Sequence, residues 1–245
     1  MSARDGSIRL FVESDLKSGQ GILLSHDHAH YLANVMRRKT GDRVAVFNGR
    51  DGAWRAEVSQ LGKKSGMLVP LLQIAPQRIP PDLWLLFSPI KKARTDFIVE
   101  KATELGCARI QPVFTQRTNN ERLKVERLQA HAIEAAEQCG ETYVPTVSSP
   151  VRLAAALQSW TAERRLIFCD ETRDAETIQD TLKSAEPGPW AILTGPEGGF
   201  TPEEAGELRG LPFVSPVSLG PRVLRADTAA VAAVSLWQSW LGDWR

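Results

Sequence analysis

Cysteine is scarce in this 245-residue chain: Cys107, Cys139 and Cys169 stand far apart, with no CxxC pair. That argues against a disulfide framework and a cysteine zinc site, and it fits a reducing, cytoplasmic setting. The four histidines form no HExxH motif. His26, His28 and His30 cluster at strand-like spacing beside Asp27, which reads as a solvated turn, and no metal is expected. No apolar run approaches the roughly 20 residues that span a bilayer. Residues Met1 to Ser7 lack the apolar core of a signal peptide, so no membrane association is expected. A GxxxxGK[ST] loop is missing throughout, and no GxGxxG follows the first strand of the α/β portion. Dinucleotide- and P-loop-dependent classes thereby lose their best support.

Apolar residues make up 42% and charged residues 24%, as in an ordinary globular protein with ample core. The net charge of +1 hides an asymmetry, +5 over residues 1–80 and −4 over residues 81–245. A basic leading segment on a near-neutral chain points towards nucleic acid.

Two patterns divide the chain. Short strand-like runs at residues 8–12, 22–24, 43–47, 53–61 and 66–74 surround a helix expected from His26 to Arg38. That helix carries Tyr31, Leu32, Val35 and Met36 on one face and ends in Arg37, Arg38 and Lys39, cations that suit a helix C-terminus. Strands at this spacing, with turn-like breaks, predict a small β-barrel. Pro76, Pro80 and Pro81 then mark a boundary, giving domains over residues 1–76 and 82–245. Beyond it, strands at 83–87, 110–114, 166–169, 190–194 and 213–217 alternate with helices. The helices are expected at Ala93–Leu105, Glu121–Cys139, Val151–Trp160, Ala175–Ser184 and from Asp227 or Thr228 to about Leu241. This alternation predicts an α/β domain, a mostly parallel sheet covered by helices on both faces. Thr201, Pro202 and Glu204 read as a capping box with proline at the first helical position.

Within that domain, two glycine-proline turns each join a strand to a helix: Thr194-Gly195-Pro196-Glu197-Gly198-Gly199 and Ser218-Leu219-Gly220-Pro221-Arg222-Val223-Leu224. Glycine lets backbone approach a ligand and proline stiffens the loop. In open α/β sheets, ligands sit at the carboxyl ends of strands, where both turns fall.

At these residues the sequence resembles the bacterial 16S rRNA (uracil(1498)-N3)-methyltransferase family of the SPOUT class. Three further stretches carry the likeness: His30 to Asp42; Lys91 to Gly106, with Lys92, Arg94, Asp96, Glu100, Lys101 and Glu104; and Glu134 to Gly140. They run in family order over nearly the whole chain. The resemblance implies a PUA-like RNA-binding barrel, then a SPOUT domain whose C-terminal segment is threaded into a trefoil knot. It also implies S-adenosyl-L-methionine as cofactor, 16S rRNA in the small ribosomal subunit as substrate, and a homodimer. The stripe Leu236, Trp237, Trp240, Leu241 and Trp244 reads as core, part of which could face a second subunit. Two positions depart from the family pattern. Ala226-Asp227-Thr228 replaces Thr-Glu-Thr, shortening a carboxylate by one methylene, and Glu141 stands where a basic residue is usual.

The resemblance assigns cofactor binding to Leu193, Thr194, Gly195, Pro196, Glu197, Gly198 and Gly199 in the first turn. In the second it assigns Ser218, Leu219, Gly220, Arg222, Val223, Leu224 and Thr228. Arg225 is the expected stabiliser of a developing uracil anion or holder of an RNA phosphate; its alternative role is an ion pair with Asp227 or Glu197. Asp227 is the weaker candidate for a base, since it also stands where a helix N-cap is wanted. Arg9, Arg37, Arg38, Lys91, Lys92 and Arg94 are the expected RNA contacts. Two other readings stay open: a SPOUT enzyme acting on tRNA or on a ribose 2′-OH, and a non-catalytic RNA-binding assembly factor.

Overall fold

The computed structural model describes residues 8–119, 122–172 and 175–244. It divides into two compact units. One comprises the described residues up to Ile79 together with Ala136–Val144, the other Pro80–Ala135 with the described residues from Pro145 onward.

The first unit is a five-stranded sheet of β1 (Arg9–Phe11), β2 (Ile22–Leu23), β3 (Arg43–Phe47), β4 (Ala53–Leu61) and β5 (Gly66–Ala75), ordered β1-β3-β4-β5-β2. β1 runs parallel to β3, and the other pairs are antiparallel. Pro70 has no N–H to give the ladder, and the β4–β5 register shifts beside its partner Ala56. Such irregularities bend a strand pair. Both edge strands accordingly feed one core, with Ile8, Leu10, Ile22 and Leu24 packed alongside Val44, Val46, Val58 and Leu68. Ala136–Val144 is tied into this unit: Glu137 Oε1 accepts the Phe11 N–H at 2.8 Å, and Thr142 Oγ1 accepts the Arg78 N–H at 3.0 Å.

The helix expected over His26–Arg38 is shorter and of two kinds. Ser25 caps α1 (His26–His30), which takes in the three clustered histidines and then widens into a π-helical turn at Tyr31–Val35. Arg37 ends it by adopting φ 52°, the left-handed region in which glycine usually closes a helix. The cations Arg37, Arg38 and Lys39 therefore lie past the helix end.

The second unit is a parallel sheet ordered β12-β10-β11-β6-β7-β8, with β9 also paired to β7. Its elements are β6 (Leu83–Phe87), α2 (Lys92–Glu104), β7 (Arg109–Phe114), α3 (Val125–Cys139, of which the residues up to Ala135 belong to this unit), β8 (Thr146–Val147), β9 (Val151–Arg152) and α4 (Leu153–Gln158). Then follow β10 (Arg165–Cys169), α5 (Ile178–Lys183), β11 (Trp190–Thr194), α6 (Pro202–Gly210), β12 (Val214–Val217) and α7 (Ala226–Trp240). Every residue of β11 is buried, as continuous apolar runs require at the centre of a sheet covered on both faces.

Several helix starts move from expectation. Glu121 lies outside the described residues, and α3 begins at Val125. The stretch from Val151 opens as a strand, because it pairs with Val113 and Phe114 before α4 starts at Leu153. Thr177 caps α5, which delays that helix to Ile178. α7 begins at Ala226 with Arg225 in the extended N-cap position, so Asp227 sits inside the first turn instead of capping it. The capping box at Thr201 and Glu204 forms as read, with Pro202 opening α6. The C-terminal stripe divides: Trp237 and Leu241 are buried, while Trp240 and Trp244 are 37% and 52% exposed.

Candidate functional site

β12, β10 and β11 are neighbours and parallel, so their carboxyl ends lie side by side. Around them is a cavity of about 260 Å³, walled by Cys169–Glu171 after β10, Thr194–Glu197 after β11, and Ser218–Leu224 without Pro221 after β12. Arg225, Ala226 and Ala229, at the start of α7, complete the lining. This is where an open α/β sheet presents loop backbone to a ligand.

Each loop is held from behind. Asp170 N–H donates to Val217 O at 2.9 Å, joining the β10 and β12 loops. Ser218 N–H donates to Glu176 O at 2.8 Å, and Ile178 N–H to Ser218 O at 3.1 Å. The first turn is clamped by Arg117, whose Nη1 donates to Gly198 O at 2.9 Å and Phe200 O at 3.1 Å. On the same turn, Glu171 Oε1 accepts the Phe200 N–H at 3.2 Å. Two glycines here admit no side chain. A Cβ at Gly195 would fall 2.6 Å from the Phe200 ring, and one at Gly199, where φ is +67°, would fall 1.7 Å from Glu171 Oε1.

The charged groups are unequal. Burial pushes the Asp170 carboxyl up, but hydrogen bonds from the Thr172 N–H and hydroxyl and from Arg209 outweigh it and hold the group below its ordinary value. Burial raises the Glu171 carboxyl, reinforced by the charge of Asp170 and partly offset by the Phe200 N–H and Arg117. Burial pushes the Cys169 thiol up to about 12, which keeps it protonated and unsuited to nucleophilic attack. Thr194 Oγ1 is buried with no hydrogen-bond partner, an unsatisfied polar atom on a residue of the cavity wall.

The structure thus gathers Thr194, Gly195, Pro196, Glu197, Ser218, Leu219, Gly220, Arg222, Val223, Leu224 and Arg225 round one space. Leu193 is instead buried in β11 as core, and Gly198 and Gly199 form the back of the first turn. Asp227 and Thr228 fall outside the lining. Asp227 is 7% exposed, with Oδ2 paired to Arg94 and Oδ1 accepting the Thr228 N–H. Its ion pair is with Arg94, where the sequence suggested Arg225. The loop after β10 was missed from the sequence, because Asp170 and Glu171 follow an ordinary strand with no glycine or proline to mark a turn.

Of the basic residues expected to meet RNA, Arg9 is engaged within the first unit: it donates to Glu141 O at 2.7 Å and stands over the Phe47 ring. Arg37 is exposed and Arg38 half-buried. Lys91 and Lys92 are exposed at the N-terminus of α2, where positive charge opposes the helix dipole. Cations kept at that end against a stability cost suit a contact with an external anion. Arg94 is half-buried and committed to Asp227.

Residues 77–238 match the RNA methyltransferase domain family, and residues 24–70 match the RNA methyltransferase PUA domain family. Ribosomal RNA small subunit methyltransferase E of Rickettsia conorii is 29% identical over 229 residues, covering 93% of each chain. The protein of that name from a Synechocystis strain is 31% identical over 218 residues, covering 87% of this chain and 71% of its own. The same enzyme from Neisseria gonorrhoeae, solved with bound S-adenosyl methionine, superposes with a TM-score of 0.88 at 29% identity, over 98% of this chain and 100% of that one. A Legionella pneumophila protein solved with the same cofactor gives 0.88 at 30% identity, over 97% and 99%. With an RNA methyltransferase domain matched over most of its length behind a PUA domain, the chain belongs to the family of ribosomal RNA small subunit methyltransferase E.

Proposed function

We propose that this chain is an S-adenosyl-L-methionine-dependent methyltransferase that modifies N3 of uridine 1498 in 16S rRNA, acting as a cytoplasmic homodimer. The cavity at the joined carboxyl ends of β12, β10 and β11 carries the reading, since two stiff glycine-proline turns supply its walls. Residues 82–245 form the catalytic domain on this reading, and residues 1–76 the PUA-like module that grips RNA. Exposed Trp240 and Trp244 offer part of the face for a second subunit.

The cavity fits an adenosyl group in three respects. It has apolar wall from Pro196, Leu219, Val223 and Leu224, backbone of two loops for base and ribose, and the guanidinium group of Arg222 for a carboxylate. When bound, S-adenosylmethionine supplies a sulfonium-activated methyl group, so the protein's tasks are alignment and charge. Uracil N3 is a poor nucleophile until its proton leaves, and positive charge beside the ring favours the anion. Arg225 fills that role: it lines the cavity at the head of α7, while Asp227 is occupied by Arg94. Asp227 is accordingly a positioning residue for the start of α7. Arg37, Arg38, Lys91 and Lys92 supply the phosphate contacts, and N3 on the Watson–Crick edge requires the target base to be unstacked.

The test is methyl transfer from labelled S-adenosylmethionine to unmodified small subunits, free 16S rRNA and bulk tRNA, with mass spectrometry of the product nucleoside. N3-methyluridine in rRNA alone is the expected result. Label in tRNA or on ribose would overturn the substrate, and no transfer to any acceptor would favour a binding factor.

A further inference from the structure

Beside the two glycine-proline turns, the loop after β10 adds a carboxylate to the same cavity. A carboxylate only accepts hydrogen bonds and offers about four sites for them. Glu171 spends one of these on the Phe200 N–H, which fixes Oε1 against the first turn. Its neighbour differs, because Asp170 is buried and both its oxygens are taken up by Thr172 and Arg209. Glu171 is exposed at the cavity wall, keeps acceptor capacity on Oε2, and is the carboxylate there with hydrogen-bonded support from the first turn. The first turn adds backbone and apolar surface from Thr194 to Pro196 and a second carboxylate, Glu197, but Glu171 is the one whose position a hydrogen bond to that turn fixes.

We propose that Glu171 is a cofactor-binding residue whose carboxylate takes the ribose hydroxyls of the adenosyl group. This rests on the cofactor reading above and deepens it. An acidic side chain at the carboxyl end of a parallel strand is a general means of holding a ribose diol. The cofactor's charged donor, the methionine ammonium, is the competing claimant for this carboxylate, and the choice of ligands below separates the two.

Binding to the full chain is measured calorimetrically for S-adenosylmethionine, for 5′-methylthioadenosine, which lacks the methionine amino acid portion, and for the 2′,3′-dideoxy form of 5′-methylthioadenosine. Glu171→Gln keeps an oxygen for the Phe200 N–H but loses the charge. It should weaken the first two ligands alike, by about ten- to a hundredfold. The dideoxy ligand should bind the wild type weakly and the variant no worse. Glu171→Ala, checked for folding by circular dichroism, should repeat the loss. A variant that binds as the wild type does would overturn the proposal. So would a loss confined to S-adenosylmethionine, which would assign Glu171 to the ammonium, or an equal loss for the dideoxy ligand, which would reduce it to a prop of the turn. If the wild type bound neither adenosyl compound, the cofactor reading itself would fall.

Discussion

Asp227, in the first turn of α7, pairs with Arg94 on α2, 133 residues earlier in the chain. The pair pins the head of the helix that carries Arg225, and it leaves Asp227 poorly placed to take a proton. A carboxylate 7% exposed needs such a partner, because an unpaired buried charge costs several kcal/mol. Arg94→Ala and Asp227→Asn should each destabilise the fold by about 1–2 kcal/mol, and the double variant by little more, giving a coupling of roughly 1 kcal/mol. Urea unfolding of the four proteins measures this. Additive losses, or an Asp227→Asn variant of normal stability whose turnover falls by orders of magnitude, would restore Asp227 as the base.

Arg225 is the complementary case. It lines the cavity and makes no side-chain cap on its own helix, so its removal should leave stability within about 0.5 kcal/mol. Loss of a charge aimed at a developing anion typically costs about 10²–10³ in kcat. Arg225→Ala should therefore lower kcat on that scale with cofactor affinity little changed. A rise in KM for RNA at constant kcat would assign it to phosphate holding instead.

These two residues show how far the sequence could be read. The glycine-proline turns and the Thr201–Glu204 capping box are local devices, each set by residues a few positions apart, and both were visible in the chain alone. The third wall of the cavity is not local. Glu171 reaches it because β10 lies between β11 and β12, an order that no single stretch encodes. The Arg117 clamp on Gly198 and Phe200 spans 81 and 83 residues and is hidden for the same reason. The end of the first helix failed differently: the periodicity ran on through Arg38, and neither glycine nor proline announced the left-handed turn at Arg37.

Asp170 and Glu171 make opposite contributions to pH dependence. The Asp170 carboxyl lies below its ordinary 3.8 in the folded state, so its stabilisation is complete above that value and is lost as pH falls through it. Arg209→Ala should shrink this acid-side loss. The Glu171 carboxyl lies above its ordinary 4.5, so the folded state holds its proton longer and stability declines as pH rises from 4.5 through the folded value. Glu171→Gln should remove that decline. Unfolding curves across this acid range would separate the two, and an unchanged profile in both variants would contradict the assignment.

Arg37 joins a backbone cost to a proposed contact. A residue with a Cβ in the left-handed region costs roughly 1 kcal/mol or more relative to glycine, which enters it freely. At φ 52° and exposed, Arg37 gains nothing from core packing that would offset this. Strain of this kind persists where a side chain is needed at that spot. Arg37→Gly should therefore raise stability by about 0.5–1 kcal/mol while weakening RNA binding. Each lost phosphate contact lowers the slope of log affinity against log salt by about 0.7–0.9. Thermal melting and a salt titration of rRNA binding read the two effects independently. A variant that is both more stable and unaltered in its salt slope would show that Arg37 closes a helix and nothing more. One that is less stable would mean that the side chain, through contacts of its stem, supports the turn.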